Sequence, residues 1–155
     1  MTNQVEIFRA TSEDAIEILE LQKLAYQSEA QIYNDWTLPP LLQTIEEIRC
    51  EYNTHLFLKA VNKNSIIGSV RTRVLGDTCY IGKLIVHPNW QNQGLGTRLM
   101  AEVEIMNPDA IRFELFTGSL SIRNLSLYQK LGYREFRREL LSKQVELVYL
   151  EKIIS

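Results

Sequence analysis

The chain has 155 residues, enough for one domain with a sizeable core. Apolar and charged fractions of 45% and 23% are those of an ordinary globular protein, and the formal net charge is −2. That balance argues against a nucleic-acid surface, because the densest basic run, Arg134-Glu135-Phe136-Arg137-Arg138, is broken by a glutamate and a phenylalanine and reads as a solvated strand face. Cys50 and Cys79 match no metal or redox spacing and are expected to be buried or partly buried free thiols. With no signal-peptide pattern and no apolar run of membrane-span length, a cytoplasmic protein is expected.

In chain order, Val5 and Ile7 fit a short strand. Thr11 or Ser12 then caps a helix with Glu13 and Asp14 in its first turn, where the helix dipole favours acids. Ala15, Ile16, Ile18, Leu19, Leu21, Leu24 and Ala25 recur at helical spacing and extend that helix to about residue 29. Tyr33 to Pro40, aromatic and ending in two prolines, is a loop, and it is read either as a wall for a substrate or as a hydrophobic plug over the core. A second helix is expected from about Gln43 to Tyr52. The alternating segments 56–61, 66–74 and 78–86, separated by Asn62-Lys63-Asn64-Ser65 and Gly76-Asp77, form an antiparallel meander.

The second half alternates differently. A helix opens after two glycines and ends near Asn107-Pro108, and Ile111 to Phe116 is a strand. Ser119 or Ser121 can cap a helix that closes at Gly132, and two strands, Tyr133 to Leu140 and Gln144 to Glu151, finish the chain. Strand-helix-strand units imply parallel crossovers, so the expected fold is a mixed α/β sheet with helices on both faces. No repeat or linker divides it, and residues 1–155 are read as a single domain.

The segment Gln91 to Leu99 follows the apolar run Leu84-Ile85-Val86 and opens a helix. A glycine turn at a helix N-terminus suits a phosphate, since the first N–H groups lack internal partners. A dinucleotide fingerprint would need a third glycine where Leu99 stands, and neither a P-loop nor a G-x-S-x-G elbow is present. The pattern Gln91-Asn92-Gln93-Gly94-Leu95-Gly96 closely resembles the [QR]-x-x-G-x-[GA] pyrophosphate motif of the GNAT superfamily of N-acetyltransferases. Asn124, Tyr128, Lys130, Gly132 and Tyr133 resemble that superfamily's second signature, N…Y-x-K-x-G-[FY], and the order of elements fits across nearly the whole chain.

The resemblance implies a sheet with a V-shaped splay between the strands ending at Val86 and near Phe116, with acetyl-coenzyme A as donor and a primary amine of a small molecule or peptide as acceptor. Leu84, Ile85 and Val86 would pair with the pantetheine arm, the turn Gln91, Asn92, Gln93, Gly94, Leu95, Gly96 and Thr97 would hold the diphosphate, and Asn124 would contact the arm. Tyr128 would lie near the sulfur as general acid. The reaction would be direct attack of a neutral amine through a tetrahedral intermediate, and removal of a proton from the ammonium requires a base or water chain.

The base is less defined. Tyr80-Ile81-Gly82-Lys83-Leu84 carries no carboxylate where many family members have a glutamate, leaving Glu114 on the next strand, His87, or a water relay. His87 beside a proline more often caps the backbone, and His55 is read as structural. The acceptor pocket is expected from the first two helices and the loop, with Glu29, Tyr33 and Trp36 as candidate contacts; Asp35 and Glu114 are further acids able to attract a cationic amine. A homodimer through the closing strands is a family-level expectation. The alternative function is a non-catalytic acyl-coenzyme A binding module, kept open by the missing glutamate.

Overall fold

In the computed structural model, which describes residues 4–154, β1 (Val5–Arg9) leads to α1 (Ala15–Ala25), α2 (Gln27–Tyr33), the short α3 (Pro39–Leu42) and α4 (Ile45–Glu51). The meander β2 (Leu56–Asn62), β3 (Ser65–Leu75) and β4 (Thr78–Val86) follows. Then come α5 (Leu95–Met106), β5 (Arg112–Gly118), α6 (Ile122–Lys130), β6 (Arg134–Leu140) and β7 (Glu146–Ile153). All seven strands form one sheet in the order β1-β2-β3-β4-β5-β7-β6, in which only β4 and β5 run parallel. The mixed sheet with its antiparallel meander is the fold class read from the sequence.

Strand alternation sends neighbouring residues to opposite faces. Leu58 and Ile67 join α5 residues Leu95, Leu99, Met100 and Val103 in one buried cluster. Phe57 and Ile66 join Ala15, Ile18 and Leu21 of α1 and Ile48 of α4 in another. Helices therefore cover both faces. A third cluster of Ala30, Tyr33, Leu38 and Val145 closes the end of the sheet beyond β5 and β7.

The first helix does not run unbroken to residue 29. It ends at Ala25, Tyr26 makes the joint, and α2 carries Glu29 and Tyr33 in a new direction. The expected loop 33–40 runs into α3, which starts with Pro39 at its first helical position, where a missing N–H does no harm. Thr44, not Gln43, starts α4: its hydroxyl accepts from Glu47 N at 3.1 Å, and Glu47 accepts from Thr44 N at 2.8 Å. Cys79 is buried, but Cys50 is exposed, contrary to the expectation of burial, because it lies on the solvent side of α4. Among the described residues no helix is long and apolar enough to cross a membrane, and no cluster of three or more His, Cys, Asp or Glu could hold a metal.

Candidate active site

The two parallel strands separate after one turn of pairing. Thr78, Cys79 and Tyr80 register with Arg112, Phe113 and Glu114, and no pair follows. From Ile81 onward that edge of β4 is open, while β5 continues to pair with β7 down to Gly118 opposite Leu147. A bulge assists the parting: between the pairs Ser69–Ile85 and Arg71–Gly82, Lys83 and Leu84 stand against the single Val70, and Lys83 has φ +50°. Bulges bend and twist the strand that carries them.

Below the gap lies a cavity of ≈ 420 Å³ whose walls include Leu84, Ile85, Val86, Gln91, Asn92, Gly94, Leu95, Gly96, Thr97 and Asn124. Nearly all the residues assigned to the cofactor from the sequence are thus brought together; Gln93 supports the turn through Nε2 donating to Asn89 O at 3.4 Å. Gly94 has φ +81°, a conformation that favours glycine, and a Cβ on Gly96 would stand 3.3 Å from Leu127 and 3.8 Å from Leu84. The N–H groups of Asn92, Gly94, Leu95, Gly96 and Thr97 donate to no acceptor among the described residues. A row of free donors at the start of a helix of 12 residues, beside an open strand edge, fits a diphosphate and an extended arm. Arg123, not foreseen from the sequence, reaches from α6 to Asn92 Oδ1 at 2.5 Å and Gln91 Oε1 at 3.3 Å, adding a cation to the rim.

Above the gap a second cavity, of ≈ 740 Å³, is walled by α2, α3, α4, β4, β5 and β7. Tyr26, Glu29, Leu84 and Asn124 line both cavities and mark their junction. Leu120 N donates to Tyr33 Oη at 3.0 Å, the Tyr33 and Ser121 hydroxyls are 2.7 Å apart, and Ser121 Oγ donates to Glu29 Oε1 at 2.5 Å. Each hydroxyl has one hydrogen, so Tyr33 donates to Ser121, and the chain of donors ends on the Glu29 carboxylate. Burial pushes the Tyr33 phenol above its ordinary value, so it stays protonated. Asn124 Nδ2 donates to Thr117 Oγ1 at 3.2 Å, tying the start of α6 to the end of β5.

Tyr128 follows Asn124 by one helical turn and faces the upper cavity, buried. Burial, with Tyr26 and Glu29 nearby, pushes its phenol far above the ordinary tyrosine range, which keeps a proton available. Gly132 at φ +98° closes α6: its N–H bonds Gln129 O at 3.1 Å and Tyr133 N bonds Tyr128 O at 3.0 Å. The Gly-Tyr end of the second motif thus fixes the last turn, on which Tyr128 sits.

The opposite wall rests on Arg71, the largest fully buried side chain. Its terminal nitrogens bond Gln22 Oε1 at 2.6 Å, Glu51 Oε1 at 3.1 Å and Gln43 Oε1 at 3.3 Å, and its guanidinium lies 4.5 Å above the Phe57 ring. Gln22 Nε2 also bonds Pro40 O at 2.9 Å, so the network pins α3 to the sheet. Burial alone would raise the Glu51 carboxyl, but the charges of Arg71 and Lys83 and two hydrogen bonds hold it below the usual carboxylate range.

Two expected site residues are not brought to the cleft. Glu114 registers with Tyr80 at the closed end of β4 and β5, is ion-paired to Arg112 at 2.8 Å, and lines neither cavity. It stands opposite Glu151, and Arg112 bridges both carboxylates, so its place is structural. Trp36 is more than half exposed and lines neither cavity, whereas Tyr33 and Glu29 from the same region do. His87 Nδ1 accepts from Asn89 N at 3.0 Å, the capping role read for it. Tyr26, Arg71, Lys83, Ser121 and Arg123 carried no motif of their own; Ser121 and Arg123 flank Asn124 closely enough to have been suspected.

A turn with free N–H donors thus stands beside a splayed parallel pair of strands. Residues 15–133 match the acetyltransferase (GNAT) family, and the chain belongs to that family. It is 29% identical over 122 residues to the UPF0157 protein YqkA of Bacillus subtilis; the match takes in 78% of this chain but only 35% of the relative's length. Among solved structures, a ribosomal-protein alanine N-acetyltransferase of Escherichia coli superposes with a TM-score of 0.82 at 15% identity, over 98% of this chain and 95% of its own. The PaiA N-acetyltransferase of Thermoplasma acidophilum, in complex with coenzyme A, superposes with a TM-score of 0.78 at 17% identity, over 99% of both chains.

Proposed function

We propose that this acetyltransferase moves an acetyl group from acetyl-coenzyme A to a primary amine. The observation that carries the reading is the meeting of two cavities at Tyr26, Glu29, Leu84 and Asn124, where β4 and β5 part. Acetyl-coenzyme A supplies the acetyl group as a thioester, and attack by a neutral amine yields an amide and a free thiol. The lower cavity binds the coenzyme through the free N–H groups of the turn, with Arg123 beside them. The open edge of β4, Leu84 to Val86, holds the arm.

Glu29 receives the incoming ammonium at the junction. One of its oxygens is engaged by Ser121, and the other is available to take the proton, directly or through a water, that the amine must lose. Tyr128, which lines the upper cavity one helical turn from the junction residue Asn124, gives a proton to the departing sulfur. The test measures thiol release from acetyl-coenzyme A across a panel of primary amines. Acceleration by at least one amine is expected; tight coenzyme binding with no acceleration would leave a binding module instead. Tyr128→Phe should lower kcat and leave coenzyme affinity nearly intact, and an unchanged rate would remove Tyr128 from the acid role.

A further inference from the structure

Lys83 is the odd residue of the upper cavity. It occupies a left-handed position, φ +50°, that costs a non-glycine residue about 1 kcal/mol or more. Lys83 is half-buried as a residue and lines the cavity, and its ammonium donates to no acceptor and forms no ion pair among the described residues. The carboxylates nearest to it in effect, Glu51 and Glu47, are otherwise engaged: Glu51 with Arg71 and Gln43, Glu47 with the N-terminus of its own helix. A cation withdrawn from water without a partner is expensive, and Arg71 nearby makes it more so. Burial and the Arg71 charge indeed push the Lys83 ammonium below its ordinary value, only partly offset by Glu51 and Glu47.

An arriving anion relieves each of these costs. We infer that Lys83 is the carboxylate-binding group of the acceptor site, and that the acceptor is an amino acid: a primary amine and a carboxylate on one apolar skeleton. The inference rests on the acetyltransferase reading above and names its substrate class. The cavity wall carries both signs of charge, Glu29, Glu47 and Glu51 with Arg71 and Lys83, and of these Glu47, Glu51 and Arg71 already have partners. Glu29 lies at the junction and Lys83 on the bulge, and neither forms an ion pair among the described residues. The same cavity is also lined by the apolar side chains Leu38, Leu42, Phe116, Leu141, Val145 and Leu147. A simple cationic amine would use Glu29 and leave Lys83 unpaired.

The probes are leucine, phenylalanine and 6-aminohexanoate, each against its carboxamide, with wild type, Lys83→Gln and Lys83→Arg. At least one acid should exceed its amide in kcat/KM by about 10- to 100-fold, the range for a hydrogen-bonded charged contact. Lys83→Gln should abolish that preference through KM, and Lys83→Arg should retain most of it. Amides used as well as acids, or a preference untouched in Lys83→Gln, would overturn the proposal. Calorimetry of the N-acetylated acids with coenzyme A present needs no turnover. If no amine releases thiol, the acetyl-transfer reading fails. The carboxylate site still stands if an N-acetyl acid binds wild type at least 10-fold tighter than Lys83→Gln, and falls if affinities are equal or no acid binds.

Discussion

Gly118, the last residue of β5, offers the sharpest probe of how the junction is held. A Cβ there would overlap Tyr33 Oη and Cζ and stand 3.1 Å from Cε2. Alanine at 118 must therefore displace the Tyr33 ring, which is buried among Ala30, Leu38 and Val145. Overpacking of this kind costs about 1–3 kcal/mol. The displaced phenol also gives up its bonds to Leu120 N and Ser121, at about 1 kcal/mol each. Gly118→Ala should thus lose ~3–5 kcal/mol in urea unfolding, or roughly 6–20 °C of Tm for a chain of this size. The acceptor KM should rise with it, since Ser121 no longer has Tyr33 to orient it toward Glu29. In a Tyr33→Ala background the obstruction is gone, and the same substitution should cost less than ~1 kcal/mol. Additivity of the two substitutions to within about 0.5 kcal/mol would refute the coupling.

Arg71→Leu should destabilise by about 3–5 kcal/mol in the same assay, because it strands Glu51 and the fully buried Gln22 amide. Glu51 contributes stability that is present above its unfolded pKa, ~4.3, and is lost as pH falls through its lower folded value. Urea midpoints of wild type should therefore fall more steeply than those of Glu51→Gln as pH drops below ~4.5; parallel curves would refute this. Ellman's reagent at pH 8 should label exposed Cys50 rapidly in the native protein. Cys79, buried and pushed up to about 11 by that burial, should react only in denaturant.

The glycine turn and the end of α6 are legible in the sequence because the backbone demands glycine there. Gly94 needs a left-handed turn, Gly96 needs room beside Leu127 and Leu84, and Gly132 closes the helix that carries Tyr128. Local spacing records such demands. The acceptor half is assembled at long range: Glu29 meets Ser121 from 92 positions away, and Arg71 gathers Gln22, Gln43 and Glu51 from three other segments. No window of sequence contains those pairs. The joint at Tyr26 is hidden in the sequence because the hydrophobic period persists across it, and it moves Glu29 from α1 onto α2. Glu114 lies outside both cavities, which the sequence does not record, because alternation gives a strand face and says nothing of the neighbour in register, here Arg112 with Glu151.

The bulge at Lys83 joins the fold to the acceptor site, and the two roles can be separated. Glycine fits φ +50° without the Cβ penalty of about 1–2 kcal/mol, against which its chain entropy costs about 0.5–1 kcal/mol. Lys83→Gly should therefore stabilise by about 0–1.5 kcal/mol, and should also remove the unpaired ammonium from the cavity wall. The sheet should still splay, because the extra residue opposite Val70 remains. If the bulge serves only the splay, this variant keeps full activity with every acceptor. If Lys83 stands there for an acceptor carboxylate, the variant is at least as stable as wild type, binds coenzyme A normally, and loses its preference for acids over amides. A loss of more than about 2 kcal/mol would instead make the lysine stem part of the wall's packing and refute the separation.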